Sequence, residues 1–98
     1  MNLVTDLATG RWWAATIEEA VGHWWLVMWG ASGQHLTAFY CGHWDEGGVY
    51  RMGRTPHELW PLMRETQHEG RRLAIAERVP APPLLAEQLP DALWRAGG

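Results

Sequence analysis

The residues able to do chemistry are few and thinly spread. Cys41, His43 and Asp45 stand at i, i+2 and i+4. On a strand they share one side, and a thiol, an imidazole and a carboxylate in a row could form an activated nucleophile. Distance argues against it, because positions two apart on a strand are ~6.6 Å apart along the chain, too far for an easy direct hydrogen bond. Asp45 also has a turn explanation, since Gly47-Gly48 follow it. His23, His35, Cys41 and His43 are potential metal donors, but Cys-x-His has no second paired ligand motif beside it. Ser32, the only serine, lies in Gly30-Ala-Ser-Gly33, one position off a nucleophile elbow and in a hairpin setting. Gly47-Gly48 has no phosphate-binding Lys behind it, and the chain contains no Lys.

His57, Glu58, Glu65, His68 and Glu69 fall on an expected helix. There Glu58 caps the first turn, and a protonated His68 suits the C-terminal end of the dipole. No catalytic residue, metal or cofactor is therefore expected, and binding is preferred over catalysis.

The elements that must position a binding surface read as follows. Residues 1–9 are expected to be irregular. Over 11–19, Trp13, Ala15 and Ile17 alternate and favour a strand, with a helix as the rival because Ala14, Ala15 and Glu18-Glu19-Ala20 are good helix formers. His23–Trp29 is an apolar run bounded by Gly22 and Gly30, and His35–Trp44 is a second strand after the Ala31-Ser32-Gly33-Gln34 turn. Val49–Gly53 is a third short strand. Thr55-Pro56-His57-Glu58 is a helix start, with Gly70 as its expected stop and Pro61 as an internal conflict. Leu73–Val79 alternates and reads as a last strand. Residues 80–98 form a Pro-rich tail with short helical pieces docking by Leu85, Leu89, Leu93 and Trp94. The fold expected is α+β: an antiparallel meander of four to five strands, one main helix on one face, and a short helical tail, all in one domain spanning 1–98.

Register sharpens this. With Ser32-Gly33 at the centre of the turn, Trp29 faces Leu36, Val27 faces Ala38 and Trp25 faces Tyr40. One face then carries Trp13, Ala15, Ile17, Trp25, Val27, Trp29, Leu36, Ala38, Tyr40 and Trp44, covered by the helix through Leu59, Leu62 and Met63. The opposite face carries Trp12, Trp24, Leu26, Met28, Phe39, Cys41 and Met52. An antiparallel sheet normally wets that face, and here it is too apolar to do so. The tail, a second copy of the chain, or a ligand or partner could cover it.

Composition sets the class. The chain has 98 residues, 47% apolar and 19% charged, which argues for one folded core and against disorder. One cysteine excludes an internal disulfide framework. No apolar run approaches membrane-span length, and the first residues lack a basic signal-peptide region, so a cytoplasmic location is expected. Residues 1–49 hold one Arg against five acids, net −4, and residues 50–98 hold seven Arg against six acids, net +1. Neither half suits a phosphate backbone, so no nucleic-acid partner is expected, and no membrane.

The string Gly53-Arg-Thr-Pro-His-Glu-Leu59 resembles the Gly-x-Thr-x-Glu-Glu-Ala helix start of HicB-like antitoxin domains over those residues alone. Size and charge resemble small acidic immunity and inhibitor proteins of mobile DNA. Neither resemblance carries a residue role or an activity. The expected function is a small non-enzymatic interaction protein acting as a homodimer, or binding another protein, through Trp12, Trp24, Leu26, Met28, Phe39 and Met52. The alternative is a small-molecule binder or minor enzyme, whose aromatic-lined pocket takes a small hydrophobic or aromatic ligand and draws its polar groups from His23, Cys41 and His43.

Overall fold

The computed structural model describes residues 4–96; residues 1–3 and 97–98, parts of the expected irregular start and of the tail, lie outside the described residues. The first element among the described residues is helix α1, Leu7–Val21, and not a strand, and residues 7–9 are helical in place of the expected irregular start. Asp6 caps it: its Oδ1 accepts the Thr9 backbone N–H at 2.7 Å, which holds the carboxyl below its ordinary value of 3.8. The stripe Gly10, Trp13, Ala14, Ile17 and Val21 is buried, at the three- and four-residue spacing of a helix. The expected strand over 11–19 is thus a helix, because Ala14 buries beside Trp13 while Ala15 stays exposed.

A short 3-10 turn, Gly22–Trp24, leads into strand β1, Trp25–Gly30. Strands β2, His35–Tyr40, and β3, Tyr50–Gly53, complete an antiparallel sheet in the order β1-β2-β3. Three strands are present among the described residues, not four or five. The hairpin pairs Trp25 with Tyr40, Val27 with Ala38 and Trp29 with Leu36, the register that a turn centred on Ser32-Gly33 requires.

Helix α2, Pro56–Glu77, starts as its capping residues dictate, with Thr55 Oγ1 accepting the Glu58 N–H at 3.3 Å. It runs on through Gly70, so Leu73–Val79 is not a strand: 73–77 form the last helical turns. Gly70 is an internal glycine with a packing purpose, since a Cβ there would collide with the Tyr40 ring and hydroxyl. The helix ends instead at Arg78, which is left-handed at φ 59. The Arg78 and Val79 N–H groups return to the Ile75 and Ala74 carbonyls in a Schellman-type closure.

Both long helices cover one face of the sheet. Trp13, Ile17, Trp25, Val27, Leu36, Ala38, Tyr40, Leu59, Trp60 and Met63 form the core, with Trp29 and Trp44 packed against it. Leu62, expected inward, is exposed. The Trp29 ring lies against Gly10 in α1, as Tyr40 lies against Gly70 in α2. A glycine in each helix therefore admits a sheet aromatic to the helix backbone. Trp13 meets Trp29 edge-on at 5.9 Å and Trp25 meets Tyr40 at 5.1 Å.

The Pro-rich segment closes the helical side. Trp60 Nε1 donates to the Ala86 carbonyl at 2.9 Å, Gln67 Nε2 to Pro83 at 2.7 Å, and Arg71 Nη1 to Pro82 at 3.0 Å. Leu89 and Leu93 bury into the core, Leu93 from helix α3, Asp91–Ala96. Trp94 remains half exposed against the His57 ring, so Leu93 and not Trp94 pins this segment. No helix among the described residues is long and apolar enough to cross a membrane.

Candidate binding surface

With both helices and the Pro-rich segment on one side, the other side of the sheet stays open. Alternation along each strand puts Leu26 and Met28 of β1, Thr37 and Phe39 of β2, and Tyr50 and Met52 of β3 on it. The register arranges them in two rows across the strands: Leu26–Phe39–Tyr50 and Met28–Thr37–Met52. Five of these six side chains are large and apolar or aromatic, and they are 39–57% exposed. Phe39 and Tyr50 stack at 6.0 Å between ring centroids. No Asp, Glu or Arg stands in either row, and Thr37 is the sole aliphatic hydroxyl. The core face holds the complementary set, with Trp25, Val27, Leu36 and Ala38 buried.

Of the six expected contact residues, Leu26, Met28, Phe39 and Met52 share this surface. Trp12 does not join them: it sits exposed on α1, because 11–19 is helical. Trp24 belongs to the 3-10 turn, where it is partly buried against the core and stacks with His23 at 4.6 Å. Tyr50 is the residue sequence reasoning missed. Strand alternation from Met52 would have found it, two positions earlier in β3.

The sheet edges are closed in different ways. At β1 the Glu18 carboxylate reaches from α1 and accepts the Val27 N–H at 2.8 Å, occupying the edge. At β3 the Arg51 guanidinium folds back to donate to the Tyr50 carbonyl at 3.0 Å, which puts a charge on the remaining edge.

The polar groups of the alternative pocket, His23, Cys41 and His43, stand at the ends of the β1–β2 hairpin strands remote from its turn. Cys41 lies just beyond β2, exposed, with its thiol 3.5 Å from the Phe39 carbonyl. Its backbone N–H bonds the Trp24 carbonyl at 2.8 Å, so the 23–24 and 41–43 segments adjoin. Among the described residues no three His, Cys, Asp or Glu converge as metal ligands. A depression of about 310 Å³ beside Met52 is lined by Gly33, His35, Gly53, Arg54 and Glu58. A cleft of about 450 Å³ between α2 and the Pro-rich segment is lined by Pro61, Arg64, Glu65, His68, Leu84 and Leu85. His23, Cys41 and His43 line neither. No family of known proteins, no curated protein and no solved structure matches this chain.

Proposed function

We propose that this chain is a non-enzymatic interaction protein that pairs with a second copy of itself through the open sheet face. The observation that carries the reading is the pair of cross-strand rows, five large side chains exposed together on an uncharged surface. At about 200 Å² for a side chain of this size, their exposed fractions leave roughly 480 Å² open per copy. Two facing copies would cover roughly 960 Å² before flanking residues are counted, close to the ~1,000 Å² that a specific interface needs. Association in the micromolar range follows, because small interfaces leave little surplus over the cost of binding.

A second copy suits the surface better than edge pairing. Glu18 occupies one edge and Arg51 charges the other, so growth of the sheet is disfavoured while its face is free. A twofold axis lets one apolar face serve both sides, and no like charges meet across it.

Sedimentation equilibrium tests this. Wild type at ~100 µM is expected to be mainly dimeric, and Met28→Glu and Phe39→Glu monomeric with unchanged far-UV circular dichroism. Both residues are exposed, so a charge there threatens the contact and not the core. A wild type that is monomeric at ~100 µM refutes the reading.

A further inference from the structure

The Pro-rich segment is held by a surface built to read an extended, proline-containing backbone. Trp60, Gln67 and Arg71 stand at i, i+7 and i+11 of α2, two and three turns apart on one stripe. Each donates to a backbone carbonyl of the segment, at Ala86, Pro83 and Pro82. Prolines offer carbonyls and no N–H, so a stripe of donors is the complement they require. Gln67 is fully buried, and its orientation is set from below, because its Oε1 accepts the Trp25 indole N–H at 2.6 Å. Recognition therefore runs through main-chain carbonyls, with Pro82, Leu89 and Leu93 as the buried anchors.

The link from α2 to this segment is short and strained. Arg78 is left-handed without being a glycine, at φ 59, and Pro80 follows two residues later. A short hinge under strain favours exchange of the segment it carries, because the exchanged form lets the hinge extend. The seat borders an open surface depression on the α1 side. A depression of about 510 Å³ lies among Ala20, Val21, Trp60, Leu85 and Leu89.

We propose that the groove of α1 and α2 is a docking site for the proline-rich segment of a second copy, residues 82–94, exchanged through the hinge at 78–81. This site lies on the helical side and does not rest on the sheet-face pairing.

The test uses full chains carrying Cys41→Ser, to remove the native thiol, and Met28→Glu, to remove the sheet-face contact. His57 and Trp94, whose rings touch at 4.8 Å, are replaced by cysteine in separate chains, His57→Cys in one and Trp94→Cys in the other. After prolonged incubation together at high concentration, a short bis-maleimide is added and products are read on a denaturing gel. A single chain carrying both substitutions marks the intramolecular product. The mixture is expected to give a cross-linked heterodimer well above the level from His57→Cys mixed with Ser32→Cys, which reports collisions. Adding Arg78→Gly to both partners is expected to lower the heterodimer about thirtyfold where the exchanged form is the minor species, because glycine removes roughly 1 kcal/mol of left-handed strain from each of the two closed hinges. A yield no higher than the collision mixture, or one that Arg78→Gly leaves unchanged, overturns the proposal.

Discussion

Replacing Gln67 by leucine tests the join between sheet, helix and Pro-rich segment at its centre. Gln67 is fully buried and engages two partners, the Trp25 indole N–H at 2.6 Å and the Pro83 carbonyl at 2.7 Å. Leucine is of similar size and keeps the volume filled, so cavity effects are small. What remains is a buried indole N–H and a part-buried carbonyl, each without its partner. At ~1–3 kcal/mol for each such group, less the modest gain from a more apolar side chain, Gln67→Leu is expected to cost about 2–5 kcal/mol. For a domain of this length that corresponds to a drop in Tm of roughly 10–30 °C. Urea unfolding followed by circular dichroism measures it. Trp25→Phe in the same background supplies the cycle: the double variant is expected to lose less than the sum of the singles by about 1 kcal/mol or more, because the stranded indole N–H is gone. A loss below about 1 kcal/mol for Gln67→Leu, with no coupling to Trp25, would refute the bridging role.

Gly70→Ala should destabilise by about 1–3 kcal/mol through overpacking against Tyr40, although the same change in an open helix gains up to ~1 kcal/mol; thermal melts decide the sign. Glu18→Ala frees the Val27 N–H at the β1 edge, so amide exchange at Val27 should speed up before that of Trp25 or Leu36. Asp6 has a depressed carboxyl in the folded chain, so its capping contribution is full above 3.8 and is lost as pH falls through the lower folded value. Acid titration of helix content should show this step in wild type and not in Asp6→Asn. Burial pushes the Tyr40 phenol above 10.0, so stability present below pH 10 should fall as pH rises through the raised folded value, a limb that Tyr40→Phe removes.

The hairpin and its two faces were legible because the Ser-Gly turn fixes register, and register fixes which side chains share a face. The start of α2 was legible because Thr55, Pro56 and Glu58 act locally. The end of α2 was not. Gly70 carries the usual sign of a helix stop, but here it answers to Tyr40, thirty residues away in β2. The error over 11–19 has a similar source. Trp13, Ala15 and Ile17 satisfy a period of two, while Gly10, Trp13, Ala14, Ile17 and Val21 satisfy the helical period over a longer window. The decisive member of that set is Gly10, whose role depends on the Trp29 ring. Misplacing that segment also put Trp12 on the open face, which in the fold it does not reach.

The distribution of indoles has an optical consequence. None of the eight tryptophans stands in the two rows of the open face, and Trp13, Trp25 and Trp60 are buried in the core. Intrinsic emission excited at the red edge of the indole band therefore reports on the core and on the seat of the Pro-rich segment, which Trp60 bonds directly at Ala86 and Trp25 reaches through Gln67. It is nearly blind to whatever covers Leu26, Met28, Phe39, Tyr50 and Met52. A fluorescence titration that stays flat on dilution is thus no evidence for a monomer, and one that moves points to the helical side.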